Sequence, residues 1–176
     1  MAVLYTIGHS TRPLEELISA LRAHQIQTLV DIRAFPMSRR LPQFNHDSLE
    51  QSLPAAGTRY LSMTALGGYR NKILEESPHI ALRNQSFRNY ADYMLTPEFE
   101  HAMSELLALA ENSRTAYMCA ERLYFRCHRR LVSDWLVAHG HQVLHIDSED
   151  PVRPHKLMAE ARIIDGRLIY RGDRLL

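Results

Sequence analysis

Residues 3–32 read VLYTIGHSTRPLEELISALRAHQIQTLVDI, and this stretch decides the fold. The apolar, partly β-branched run Val3–Ile7 predicts a buried strand that ends at a glycine. Thr11 is predicted to cap a helix, because leucine and isoleucine recur at helical spacing over residues 14–21. Thr28–Ile32 predicts a second buried strand. A strand, a helix and a strand within about thirty residues indicate a βαβ unit, which has parallel strands and a right-handed crossover.

Later segments extend this unit into an α/β protein. Apolar runs predict three more strands, at Arg59–Ser62, Thr115–Cys119 and Gln142–Ile146. Helical spacing predicts helices around Asp47–Leu53, across Phe87–Met94, after a Thr96 cap and across Cys127–His139. The Asp165-Gly166 dipeptide joins two alternating runs and predicts a C-terminal β-hairpin. We therefore expect one α/β domain over residues 1–176, with a mostly parallel central sheet of about five strands and helices on both faces.

The composition is that of a globular protein and excludes several classes. Of 176 residues, 45% are hydrophobic and 23% are charged, which excludes disordered and collagen-like chains. The net charge of +1 lacks the strongly basic footprint of a dedicated nucleic-acid binder. Without a long apolar run or a signal-peptide pattern, we expect a cytoplasmic protein with no membrane partner. Two cysteines are too few for a disulfide scaffold, which predicts free thiols in a reducing compartment.

Polar and reactive residues follow four of the predicted strands. They are Gly8-His9-Ser10, Asp31-Ile32-Arg33, Ser62 and Cys119-Ala120-Glu121, in strand order. The carboxyl ends of parallel strands share one edge of a sheet, and ligands bind there. We therefore expect a site at this edge, although loops are polar in proteins generally.

The densest cluster is Cys119-Ala120-Glu121, followed five residues later by Cys127-His128-Arg129. A thiol between a strand end and the first turn of a helix can ionise, because the helix dipole and nearby arginines favour the nucleophilic thiolate. Glu121 or His128 could then move a proton. The predicted catalytic residues are Cys119, Glu121, Cys127, His128 and Arg129, acting without a cofactor or a metal.

Three other interpretations of this cluster stay open. Cys119 could be a core residue while Arg129 and Glu121 form an ion pair. Cys119, Cys127 and His128, with His9 as a fourth donor, could hold zinc, although no C-x2-C pair is present. The two thiols could also form a redox pair, in which one attacks and the other resolves.

The expected substrate is a small anion held by loops around the cluster. Guanidinium groups suit carboxylate and phosphate, and arginine makes up 19 of the 21 basic residues, a skew that GC-rich codon usage would also produce. Plain structural roles stay open, with Ser10 as a helix cap and Asp31 and Arg33 bonded to neighbouring backbone. The predicted substrate-binding residues are His9, Ser10, Asp31, Arg33, Ser38, Gly67, Gly68, Arg70 and Tyr93.

Motifs along most of the chain resemble those of a known family. They are Thr6–Ser10, Asp31–Arg33 with Pro36–Ser38 and Phe44, Leu66–Gly68, Tyr90–Met94, and Met118–Glu121 with Cys127–Arg129. Together they resemble domain-of-unknown-function family 488, and this resemblance implies no established activity. The end of the fourth strand also resembles the rhodaneses and cysteine phosphatases, whose nucleophilic cysteine precedes an anion-binding loop. This second resemblance is topological, because the spacing here is C-x6-R instead of C-x5-R and residues 120–126 contain no glycine.

Two classes of function fit the sequence best. The first is an enzyme, a thiol-dependent transferase or hydrolase, with Cys119 or Cys127 as thiolate. The second is a nucleic-acid-binding or -processing module in which loop arginines and aromatics hold a single strand and the cysteines are structural. Its residues would be Arg39, Arg40, Phe44, Tyr69 and Arg70. A protein-interaction domain is a third possibility, and the sequence does not predict an oligomeric state.

Overall fold

The computed structural model describes residues 1–172 and is built on a six-stranded sheet. The strands in chain order are β1 Val3–Gly8, β2 Thr28–Asp31, β3 Arg59–Ser62, β4 Thr115–Cys119, β5 Gln142–Ile146 and β6 Arg153–Pro154. Across the sheet their order is β3-β2-β4-β1-β5-β6, and every neighbouring pair is parallel except β5 with β6. The predicted mostly parallel sheet is therefore confirmed, with one short antiparallel edge strand added.

Five α-helices cover both faces of this sheet, as expected. They are α1 Leu14–Ala23, α2 His46–Ala55, α3 Gln85–Tyr93, α4 Pro97–Asn112 and α5 Arg129–Ala138. The buried residues of α1 and α2 belong to one hydrophobic core, and those of α3, α4 and α5 belong to another. Among residues 1–172, none of the helices has the length and apolar character needed to cross a membrane.

Successive residues of the central strands point into these two cores. Tyr5, Ile7 and Met118 pack with α1 and α2, whereas Leu4 and Tyr117 pack with α3, α4 and α5. Strands that are buried on both faces are apolar throughout instead of alternating with polar residues. This double burial explains why the central strands are recognisable in the sequence as short apolar runs.

The C-terminal hairpin is also confirmed, as β7 Ala161–Ile164 and β8 Arg167–Tyr170. Asp165 and Gly166 between these strands have φ angles of 50° and 76°, which a two-residue type I′ turn requires. The Tyr170 hydroxyl donates a hydrogen bond to Asp134 Oδ2 on α5 over 3.0 Å. The hairpin is therefore attached to the main body by a buried polar contact as well as by its apolar face.

Two predicted helix starts are wrong. Pro13 occupies the position that precedes α1, so Thr11 does not cap this helix. Helix α5 begins at Arg129 instead of Cys127, which leaves Cys127 in the loop before the helix. The Thr96 cap is confirmed, because its side chain accepts a hydrogen bond from the Phe99 N–H over 3.4 Å.

Candidate functional site

A cavity of about 370 Å³ opens at the carboxyl ends of β2 and β4. Cys119, Cys127 and His128 form its inner end, and the two cysteines are only 4% and 7% exposed. Its remaining lining residues are Arg33, Ala34, Phe35, Gly68, Tyr69, Arg70, Ser86, Phe87, Tyr90, Ala120, Glu121 and Arg126. The cysteine cluster and the loop after β2 therefore meet at one edge of the sheet, as the strand-end pattern predicts.

The loop over residues 120–126 carries the chain from Cys119 to Cys127 and is held tightly against β1. The Ser10 N–H donates to the Ala120 carbonyl over 2.9 Å. A Cβ atom on Gly8 would lie 1.9 Å from the Glu121 carbonyl oxygen, so only glycine allows this approach. These contacts keep the two cysteines close together at the two ends of the loop.

Arg129, at the start of α5, also holds the loop over residues 120–126 in place. Its guanidinium donates to Thr6 Oγ1 over 2.8 Å, to the Arg122 carbonyl over 3.1 Å and to the Glu121 carbonyl. The residue is 1% exposed. The ion pair between Arg129 and Glu121, one of the interpretations left open by the sequence, is not formed, because Arg129 binds the backbone of Glu121 and the Glu121 carboxylate accepts the Leu123 N–H over 3.2 Å.

The two thiols have opposite electrostatic environments. The sulfurs and one ring nitrogen of His128 all lie within 4.8 Å of one another. A hydrogen bond from Cys127 lowers the pKa of the Cys119 thiol to about 7, and the positive charge of Arg129 adds to this effect. The same hydrogen bond, together with burial, raises the pKa of Cys127 well above its ordinary value. These surroundings favour the thiolate on Cys119 and the protonated thiol on Cys127.

His128 presents an unprotonated nitrogen to this pair. Its Nε2 lies 3.0 Å from the Ile32 carbonyl oxygen, which can only accept, so Nε2 carries the proton. Nδ1 is then an acceptor and lies 3.5 Å from Cys127 Sγ. Burial lowers the pKa of His128 to about 4, so the ring is neutral at pH 7. The Cys127 proton has two acceptors within reach, the Cys119 thiolate and His128 Nδ1.

Gly68 makes room for the His128 ring. A Cβ atom at this position would lie 2.6 Å from Nδ1. The Tyr90 ring packs on His128 with 5.2 Å between ring centroids, and its hydroxyl donates to the Leu66 carbonyl over 2.8 Å. The orientation of His128 is thus set by backbone on one side and by a fully buried tyrosine.

This cluster also has the donor types of a zinc site. Two sulfurs and an imidazole nitrogen could supply three of the four positions that zinc takes. The fourth donor suggested by the sequence, His9, is wrong. Its Nδ1 lies 2.7 Å from the Ser10 carbonyl oxygen and its Nε2 lies 3.1 Å from Arg33 Nη1, so both ring nitrogens have other partners.

The family model described as Domain of unknown function DUF488 matches residues 13–136. This chain belongs to the DUF488 family. No curated protein and no solved structure matches it. The matched part of this DUF488 protein runs from just before α1 into α5, and it therefore includes Cys119, Cys127 and His128.

Behind the cavity of this DUF488 protein, Asp31 and Arg33 form a buried ion pair. Arg33 Nε and Nη2 donate to the two Asp31 carboxylate oxygens over 2.9 Å and 2.7 Å. The Tyr60 hydroxyl donates to Asp31 Oδ2 over 2.6 Å. Burial alone would lower the pKa of Arg33, but its hydrogen bonds to Asp31 raise it. Arg33 reaches the cavity as an already paired cation, and the fully buried Asp31 does not line it.

Other residues predicted to bind substrate lie outside the cavity lining and make contacts within the protein. His9 stacks on Phe44 with 4.3 Å between ring centroids and is buried. Ser38 Oγ accepts the Arg40 and Leu41 N–H groups over 3.2 Å and 3.3 Å, within a loop outside the cavity lining. Ser10, with a positive φ of 55°, also lies outside that lining.

Arg70 lines the cavity, and Tyr93 positions it. The Arg70 guanidinium carbon lies 3.7 Å from the centroid of the Tyr93 ring. Arg70 donates to the Gly67 carbonyl over 3.0 Å and to the Ala65 carbonyl over 2.8 Å, and the Tyr93 hydroxyl donates to the same Ala65 oxygen. Gly67 packs against Ala34, where a Cβ atom would lie 2.7 Å away. Of the predicted residues Gly67, Arg70 and Tyr93, only Arg70 lines the cavity directly.

The cavity has an aromatic rim, of which sequence reasoning missed Phe35 and named Tyr69 only for a nucleic-acid groove. Phe35 and Tyr69 are 73% and 80% exposed, and their ring centroids lie 5.7 Å apart. A sequence signal existed for Phe35, which follows the Asp31-Ile32-Arg33 strand end by two residues. The proposed nucleic-acid groove is wrong at Phe44, because this ring is fully buried and cannot stack on a base.

Proposed function

We propose that this DUF488 protein is a thiol-dependent enzyme in which Cys119 is the nucleophile and the cavity binds a small anionic substrate. One observation carries the proposal, namely two sulfurs and a ring nitrogen within 4.8 Å of one another at the inner end of an open cavity. A sulfur that is a thiolate near neutral pH and has access to a cavity is a nucleophile.

The charge around the cavity supports an anionic substrate. Arg70 and Arg126 line it, together with the paired cation Arg33, whereas Glu121 is the one acidic lining residue among those described. A volume of about 370 Å³ suits a metabolite-sized ligand. The nucleophile has to be reduced to react, so we propose that the protein works in a reducing compartment such as the cytoplasm.

The pH dependence of alkylation tests this proposal. Each cysteine of the native protein would be reacted with iodoacetamide and quantified by mass spectrometry. We expect Cys119 to react with a midpoint near pH 7 and Cys127 to stay slow until much higher pH, because the hydrogen bond and Arg129 favour only the Cys119 thiolate. If both thiols stay inert until the protein unfolds, Cys119 is not the nucleophile.

Iodoacetate provides the test of substrate charge. The ratio of the iodoacetate rate to the rate with neutral iodoacetamide should be higher for Cys119 than for a free small thiol. The preference should shrink in Arg126→Gln, because Arg126 is an exposed cation on the lining. An exposed arginine away from the cavity, changed in Arg59→Gln, is the matched control. Equal preference in all three proteins would contradict the anionic substrate.

A further inference from the structure

We infer that Cys119 and Cys127 are an attacking and a resolving thiol, and that the substrate class is small anionic disulfides, which the protein reduces. The inference rests on the proposed thiol function and extends it to a reaction. Cys127 contacts the acceptor nitrogen of His128 and lies within 4.8 Å of the Cys119 sulfur, which is more than a nucleophile needs, since a lone thiolate with a nearby base would suffice. The second thiol therefore calls for a role of its own.

The position of Cys127 supports the resolving role. Its sulfur lies within 4.8 Å of the Cys119 sulfur, and both residues line the cavity, so a substrate bound at Cys119 has Cys127 directly beside it. A disulfide needs a sulfur–sulfur distance of about 2.05 Å, so the two sulfurs have to approach each other from this separation when the bond forms. Seven residues, 120–126, separate the two cysteines, and closing so short a loop costs little chain entropy.

The hydrogen bonds around the pair assign the two roles. Cys119 accepts hydrogen bonds and faces the buried Arg129 charge, which stabilises its thiolate. Cys127 Sγ has His128 Nδ1 at 3.5 Å as an acceptor for its proton, and the Arg129 N–H lies 3.4 Å from the same sulfur. Once Cys119 has reacted, its negative charge is gone, and the Arg129 N–H remains to stabilise a thiolate on Cys127.

The reaction consists of two thiol–disulfide exchange steps. The Cys119 thiolate attacks one sulfur of the substrate disulfide, the substrate S–S bond breaks, and the first product leaves as a thiolate. Cys127 then gives its proton to His128 Nδ1 and attacks the Cys119 sulfur. The mixed disulfide breaks, the second product leaves as a thiolate, and it takes the proton from His128, a weak base that does not retain it.

The substrate has gained two electrons and the protein is left with a Cys119–Cys127 disulfide. Restoring the dithiol requires a reductant, and the class that fits this exchange is a thiol or dithiol of the reducing compartment. The contacts of the Arg129 guanidinium with the Glu121 and Arg122 carbonyls anchor the loop on backbone atoms, so these contacts do not depend on the redox state of the sulfurs.

Dithiobis(nitrobenzoate), an anionic aromatic disulfide, is the probe. Reacted with the full chain at pH 7, the wild type should release two nitrothiobenzoate groups per protein and end two hydrogen masses lighter, with no adduct. Cys127→Ser should release one group and retain the other as an adduct on Cys119. Cys119→Ser should react at least about tenfold more slowly, because burial still raises the pKa of the Cys127 thiol when Cys119 is gone.

A cationic disulfide, cystamine, measures the charge preference of the first step in the same proteins. The rate with the anionic probe divided by the rate with cystamine should be about tenfold larger for the wild type than for a free thiol. This ratio should be smaller in Arg126→Gln than in the wild type. His128→Gln should slow the second release and leave the first unchanged, which separates proton acceptance from a merely structural role.

The outcomes separate this inference from the proposed function. A wild type that stops at one release, with a stable adduct on Cys119, overturns the resolving role and leaves Cys119 as a nucleophile. Two adducts on one chain also overturn it. If the thiols react only after the protein unfolds, both proposals are wrong. If they react only after a strong chelator is added, the cluster holds a metal instead.

Discussion

Tyr60 completes the buried network behind the cavity. Its hydroxyl donates over 2.6 Å to an Asp31 carboxylate that is fully buried, and burial and this neighbouring charge raise the pKa of the phenol. Tyr60→Phe should lower the free energy of unfolding by about 1–2 kcal/mol, because a buried carboxylate loses one donor. Urea unfolding would measure the change. The 80% exposed Tyr69, changed in Tyr69→Phe, is the control, and equal losses in the two variants would contradict this role.

Single residues show what sequence reasoning reaches at the site. Cys119, Cys127 and His128 are predictable because nucleophile, second thiol and base stand in one short motif after a strand. Which thiol favours the ionised form is not predictable, since this depends on how burial, the neighbouring thiol and Arg129 are arranged around each sulfur in the fold. The burial of Arg129 is also not predictable from the sequence, because a charged side chain is usually exposed. In the fold this residue is only 1% exposed.

At the scale of elements, the loop over residues 120–126 depends on the start of α5. Arg129→Met should remove about 3 kcal/mol of stability, since its guanidinium joins Thr6 on β1 to the Glu121 and Arg122 carbonyls. The alkylation midpoint of Cys119 should also rise by about one pH unit, because a nearby positive charge is lost. Both effects can be measured on one preparation.

Arg130→Met is the matched control for this prediction, since Arg130 is the next residue on the same helix. It should leave the Cys119 midpoint close to that of the wild type. An Arg129→Met protein that loses stability while the midpoint stays fixed would show that Arg129 holds the loop without acting on the thiol.

Elements are predicted well where burial is two-sided or a turn is distinctive, and poorly where local contacts decide. The strands β1, β2 and β4 are almost wholly buried and follow from apolar runs, and the hairpin follows from the Asp165-Gly166 turn. The strand β6 has only two residues, Arg153–Pro154, which is too short to carry a pattern. The start of α1 is displaced because Pro13 takes the extended conformation before the helix and Thr11 lies too far upstream.

At the scale of the whole molecule, buried histidines link stability to pH. Burial lowers the pKa of His9 to about 4, of His128 to about 4 and of His145 to about 3. In the unfolded chain each would titrate near 6.5, so between these values the unfolded state binds more protons than the folded state. Stability should therefore fall as the pH drops below 6.5, by on the order of 1 kcal/mol per pH unit for each histidine.

Urea unfolding at pH 7, 6 and 5 would measure this dependence. His9→Gln should make the pH dependence of the unfolding free energy less steep, because the unfolded and folded states then differ by one bound proton fewer. His101→Gln, at a side chain that is 78% exposed, should leave it unchanged. An unfolding free energy that does not vary between pH 7 and 5 would contradict the buried, neutral state of these histidines.

The arginines in and near the cavity differ in their exposure to solvent. This difference separates the arrival of the substrate from the reaction at Cys119. Arg33 is bound to Asp31, and Arg129 lies beneath the thiols, so both are shielded from dissolved ions. Arg126 is exposed at the lining, within the reach of ionic screening. Added salt should therefore slow the arrival of an anionic substrate while leaving the intrinsic reactivity of Cys119 intact, so ionic strength can be varied to study arrival and bond exchange one at a time.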